Sequence, residues 1–130
     1  MTLAEARIIF TKCLAQLVLF ADGTGKPLAF GEGMDRKTTK DPTSDHMKGS
    51  LHDVGLGQDA DRYEIIKDES GMIIKFSWLT RTEDHADLGA FWKTLHPFCK
   101  WGGDFGDGNH YSFSDRSIPG CLTSNGALKK

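Results

Sequence analysis

The chain has 130 residues, 38% of them hydrophobic and 26% charged, which suits one domain, residues 1–130, around a single core. Its formal net charge of −2, with lysines and arginines scattered, excludes the basic footprint of a nucleic-acid binder. No apolar run approaches the roughly 20 residues of a membrane span, and the three cysteines form no CxxC pair, which argues against a cysteine-rich zinc site and a disulfide framework.

Residues 2–21 read as the first helix. Thr2-Leu3-Ala4-Glu5 is a capping-box pattern, and apolar residues at 6, 9, 10, 13, 14, 17, 18 and 21 follow helical spacing. Cys13 falls on that apolar stripe and is expected in the core. Glu5 and Arg7 break any early apolar run, so the N-terminus does not read as a signal peptide. Asp22-Gly23-Thr24-Gly25 should stop the helix. Residues 27–32 are a short strand candidate, buried by its Leu28-Ala29-Phe30 run. Residues 35–49 are polar and read as a loop, long enough to suggest a function.

A strand is expected around 58–62, continuing towards 66. Lys67-Asp68-Glu69-Ser70-Gly71 is a turn, and residues 72–78 pair back as a hairpin. Thr82-Glu83-Asp84-His85 opens a second helix to about Leu95, with Leu88, Phe91, Trp92 and Leu95 on one face and Pro97 after its end. Residues 101–105 and 110–113 read as short strands about a glycine-rich turn. The tail from about 114 holds turn residues and no period. Helices that do not alternate regularly with strands favour an α+β fold.

Two clusters carry chemistry. Ser50-Leu51-His52-Asp53-Val54-Gly55-Leu56-Gly57-Gln58-Asp59 sets a histidine and an aspartate seven positions apart with glycines between them. A turn followed by a strand can bring both side chains to one point. Trp101-Gly102-Gly103-Asp104-Phe105-Gly106-Asp107-Gly108-Asn109-His110 supplies a second histidine and carboxylate. Two imidazoles and a carboxylate are a ligand set for catalytic zinc, which uses three protein ligands and leaves a position open. His110, following the glycine-rich turn, is the best third ligand. Asp107, three positions earlier, can then serve as the base. Arg36 in the polar loop is a candidate to hold a substrate carboxylate or a developing oxyanion. The other histidines carry plainer expectations: His46 is surplus, His85 lies on a helix surface, and His96 sits at a helix C-terminus where its charge suits the dipole. Asp53 and Asp61 are read as solvated or as supporting partners.

Ser50-x-His52-x-x-Gly55-x-Gly57-x-Asp59 resembles the Ser-x-His-x-x-Gly-x-Ala-x-Asp signature of a family of zinc peptidases. That family includes D-alanyl-D-alanine carboxypeptidases, dipeptidases and phage L-alanyl-D-glutamate endolysins. The run Trp101-Gly102-Gly103-Asp104-Phe105 with Asp107-x-x-His110 is similar to the second half-site of the endolysin branch. The resemblance extends from the first helix to about Phe113. Gly57 replaces the usual alanine, and the acidic residue at 107 is Asp rather than Glu, as in the endolysins.

The resemblance implies a hedgehog/DD-peptidase-like fold, with a short antiparallel sheet flanked by helices. It implies Zn2+ held by His52, Asp59 and His110, with Asp107 as general base and Arg36 as a substrate contact. The implied activity is hydrolysis of a peptidoglycan stem peptide, with the L-Ala–D-Glu bond of a phage endolysin first. A D-Ala-D-Ala carboxypeptidase or dipeptidase, or a non-catalytic zinc-containing module that binds cell-wall peptides, are the rivals. The chain would be a monomer without nucleic-acid partner or membrane insertion. It would be made in a bacterial host cytoplasm and act on the wall after release, like small phage lysins without a wall-binding domain.

Overall fold

The computed structural model describes residues 1–30 and 50–130. The loop expected at 35–49, with Arg36 and His46, lies outside the described residues, as does the end of the strand expected at 27–32.

Helix α1 spans Leu3–Gly23. The Thr2 hydroxyl accepts the Glu5 N–H and the Glu5 carboxylate accepts the Thr2 N–H, each at 3.1 Å, so the capping box closes as the sequence predicts. Ala6, Phe10, Cys13, Leu17 and Ala21 are buried along one stripe. The helix runs two residues past the expected stop, because the Thr24 N–H still reaches the carbonyls of Phe20 and Ala21.

Among the described residues six strands form two antiparallel three-stranded sheets, and the fold is α+β. One sheet has the order β1-β3-β4, with β1 at Leu28–Ala29, β3 at Asp61–Lys67 and β4 at Ile73–Leu79. Leu28 of β1 is half-buried and Ala29 is exposed, less covered than its apolar run suggests. The other sheet has the order β2-β6-β5, with β2 at Gly57–Asp59, β6 at His110–Phe113 and β5 at Cys99–Trp101. The stretch expected as one strand is therefore two, and Asp59 and Asp61 belong to different sheets. Ala60 is the fully buried pivot, and its N–H bonds to the Asn109 carbonyl at 2.9 Å.

Arg62 fixes the start of β3. Although almost fully buried, it donates to the Asp87 carboxylate at 2.5 and 3.1 Å, to the carbonyls of Lys26 and Asp84, and to the Thr24 hydroxyl. One guanidinium thus joins the end of α1, β3 and the start of the second helix, using its fork of donors.

The second helical region divides into a 3-10 turn at Thr82–His85 and helix α2 at Ala86–Leu95. α2 lays Leu88 and Trp92 into the core. Phe20 of α1 stacks on Phe91 with centroids 4.1 Å apart, and Phe10 meets Trp92 edge-on at 5.9 Å. Trp92 in turn meets Tyr111 of β6 at 5.7 Å, so α1, α2 and the inner face of the second sheet share one core. Cys13, Cys99 and Cys121 are buried free thiols. Ile118 and Cys121 of the tail belong to the same buried cluster, and Leu122 bridges to Leu128. Among the described residues no helix is long and apolar enough to cross a membrane.

Candidate metal centre

His52 is carried by a 3-10 turn at Leu51–Val54. Ser50 precedes it as the cap, and its hydroxyl accepts the His52 N–H at 3.1 Å. Gly55 ends the turn at φ +74°, a left-handed conformation that favours glycine. The Leu56 N–H then returns to the Leu51 carbonyl at 2.9 Å, and the chain enters β2.

Asp59 and His110 face one another across β2 and β6. The flanking bonds from Ala60 to Asn109 and from Phe113 to Leu56 make this a non-hydrogen-bonded pair, the kind whose side chains approach most closely. Gly57 lies on the same face, one step along. A Cβ there would sit 3.1 Å from the His52 backbone nitrogen and 3.2 Å from His110 Cε1, a tight fit that glycine relieves.

The three side chains converge. Asp59 Oδ1 lies 3.3 Å from His52 Nε2 and 3.1 Å from His110 Nδ1, and one ligand atom from each residue falls within a 4.8 Å group. Ligand bonds of about 2.0–2.2 Å in a tetrahedron put neighbouring donors a little over 3 Å apart, so this set fits a metal ion. Burial alone would raise the Asp59 pKa, but hydrogen bonds from His110 and His52 outweigh it and hold the carboxyl well below the usual range. It is therefore an anion, the form that binds metal. Among the described residues His110 Nε2 is buried without a hydrogen-bond partner. Strand pairing and packing, rather than the usual second hydrogen bond on the far nitrogen, hold that ring.

The glycine-rich cluster is a scaffold for Asp107 and His110. Of the strand expected at 101–105, only Trp101 belongs to β5, and Gly102–Phe105 form a 3-10 turn ending at Gly106 with φ +87°. Close contacts impose this turn. A Cβ on Gly102 would lie 2.2 Å from the Asp107 carbonyl and 2.7 Å from His110 Cβ. The Trp101 ring packs against Gly89 and Gly103, each with room for no Cβ, and its indole N–H holds the Gly108 carbonyl at 2.8 Å. The Asp107 N–H reaches the Gly102 carbonyl at 2.9 Å, and the Asp107 carbonyl accepts the His110 N–H at 3.1 Å.

Asp107 is exposed as a residue, yet it lines a cleft of about 140 Å³. Burial raises its pKa, His110 and His52 oppose that, and Asp59 adds to it. These mutual effects place Asp107 in the electrostatic field of the three-residue group. Arg36 lies outside the described residues.

One expectation about a single residue needs correction. His85 is buried rather than on a helix surface, and its Nδ1 meets the Tyr111 hydroxyl at 2.8 Å. Asp61, read as solvated or as a supporting partner, is buried at the wall of the cleft. His96 stands at the C-terminal end of α2 as expected, and its Nδ1 accepts the Phe98 N–H at 3.0 Å. His85 and Arg62 are the residues that sequence reading missed. Thr82-Glu83-Asp84-His85 reads as a solvated helix start, and nothing local announces that Tyr111 will meet it. Compared with known proteins, the chain matches no family model, no curated protein and no solved structure.

Proposed function

We propose that this chain is a zinc-dependent peptidoglycan peptidase that hydrolyses a stem-peptide amide bond, L-Ala–D-Glu first. The observation that carries the reading is the convergence of His52, Asp59 and His110 with Asp107 inside their electrostatic field; the cleft that Asp107 lines is walled by other residues than these three. Both sequence clusters thus supply one site, in the roles that the endolysin-like motif implies. The hedgehog/DD-peptidase fold belongs to the same reading, as does action at the cell wall after release from a bacterial cytoplasm.

His52, Asp59 and His110 would hold the cation, and the single carboxylate would leave the site net positive. Zinc so held lowers the pKa of water to about 7 and polarises a carbonyl. Asp107 takes a proton from the water that adds to the scissile carbonyl. It returns that proton to the amine as the C–N bond breaks. The raised pKa of Asp107 suits a group that must both take and give a proton.

Digestion of purified sacculi, with and without a chelator and read by mass spectrometry, tests this. The expected result is new L-Ala ends on glycan-linked peptides, lost with chelator and restored by zinc. Release of free D-Ala instead would reassign the bond to the carboxypeptidase rival. One bound zinc with no cleavage product would leave a binding module, and cleavage at full rate in chelator would end the metal mechanism.

A further inference from the structure

We propose that His85 is a substrate-contacting residue whose Nε2–H donates a hydrogen bond to an amide carbonyl of a peptide lying in the cleft beside Asp107. The inference deepens the peptidase reading and rests on it for the identity of the peptide.

Tyr111 is fully buried, and a phenol proton at that depth needs an acceptor. Among the described residues, His85 Nδ1 at 2.8 Å is the acceptor within reach. The hydroxyl therefore donates to Nδ1, and the ring proton stands on Nε2. Burial lowers the His85 pKa to about 4, with Arg62 adding to the effect, so the ring is neutral at the pH where a wall enzyme works.

Among the described residues Nε2 itself has no hydrogen-bond partner, yet it is not an enclosed orphan of the kind that His110 Nε2 is. The residue lines the cleft together with Asp61, Thr82, Asp107 and Asn109. With Nδ1 turned to Tyr111, the Nε2 edge is the one that reaches the cleft. An N–H donor held in a fixed tautomer by a buried phenol costs little to organise when a ligand arrives.

Asp107 lines the same space. Its carboxylate disfavours an anionic ligand group beside His85, whereas a neutral amide carbonyl accepts the N–H without that repulsion. Trp78 supplies an apolar wall for the small side chain next to such an amide.

The test is 15N NMR of histidine-labelled Asp107→Asn protein, which lacks the base but keeps the cleft, with the His85 signals assigned by loss in His85→Gln. N-acetyl-L-Ala-D-Glu amide and N-acetyl-D-Ala-D-Ala are the probes. The expected result is a proton on His85 Nε2, acceptor character at Nδ1, and a saturable shift of Nε2 with one probe. In the otherwise native enzyme His85→Gln, which keeps a donor near that position, should retain kcat/KM within about tenfold. His85→Leu should lose about a hundredfold with metal content unchanged. A proton on Nδ1, or an Nε2 signal unmoved by either probe at saturation, overturns the proposal even if the wild-type protein cuts sacculi. A wild-type protein that cuts no sacculi while Nε2 answers a probe would instead remove the peptidase reading and leave the His85 contact standing.

Discussion

In the β2-β6-β5 sheet every residue of the central strand, from His110 to Phe113, is buried, whereas in the β1-β3-β4 sheet the edge strand β4 leaves Ile74, Phe76 and Trp78 more than half exposed. The two sheets have the same number of strands and the same antiparallel pairing. They differ in what covers them. One is locked between the helical core and the face of the candidate metal group; the other ends in a hairpin whose outer strand packs against little among the described residues. A ligand set requires donors held to within a fraction of an ångström, and only the first sheet offers that rigidity. The hairpin contributes a wall, through Trp78 and Leu79, for which looser placement is enough.

The sharpest way to probe this contrast is at Asp107. Asp107→Asn should keep zinc at wild-type stoichiometry and lower kcat by about 10²–10⁴-fold, measured on muropeptides with parallel metal analysis. Undiminished turnover would remove Asp107 from the chemistry. Gly102→Ala comes next. Its new Cβ would meet backbone at Asp107, which cannot swing away as a side chain tip does. A stability loss of about 3 kcal/mol or more is expected, together with weaker zinc binding, by denaturant unfolding and competition with a chelating dye. A variant as stable as the parent would mean that the turn is far softer than its contacts indicate.

His85 tests the rigid side by pH. Its folded pKa is lowered to about 4 by burial, whereas the unfolded chain titrates near 6.5. Between those values the unfolded state binds a proton that the folded state does not. This contribution to stability is complete above pH 6.5, falls as the pH drops, and is gone below 4; it amounts to about 3 kcal/mol. His85→Gln should flatten the unfolding free energy between pH 6.5 and 4, and an unchanged slope would mean that His85 charges freely in the fold. The smallest effect belongs to the other sheet. Phe76→Thr on the exposed strand should change stability by only about 0.5 kcal/mol and leave zinc binding alone. A loss as large as that at Gly102 would erase the distinction between the two sheets.

The sequence made some parts of this molecule legible and hid others for physical reasons. α1 was readable because its cap and its apolar stripe are local signals, both encoded within a few residues of where they act. The convergence of His52, Asp59 and His110 as a candidate ligand set was readable because both histidines stand beside glycine-marked turns. The break at Ala60 was hidden. Residues 58–66 look like a continuous strand, and what divides them is Arg62 gripping Asp87 and the end of α1, contacts far away in sequence. His85 was hidden for the same reason, since its burial depends on Tyr111. Gly102 and Gly103 read as part of a short strand, whereas they lie in a 3-10 turn packed tightly against Asp107, His110 and Trp101, contacts that the local sequence does not announce.

Leu51 opens the turn that carries His52, and its N–H is held by the carbonyl of Lys130 at 3.1 Å. His110 reaches Asp59 across a separation of 51 positions. Ribosomes deliver a chain from its N-terminus at about 5–20 residues per second, so α1 can be helical well before either distant partner has been made. A chain cut back to end before residue 110 should retain no zinc, and one ending between 110 and 129, without the Lys130 carbonyl, should hold it more loosely than the 130-residue chain. The order of synthesis therefore puts the candidate metal centre well after α1, because its parts are gathered from distant stretches of the chain.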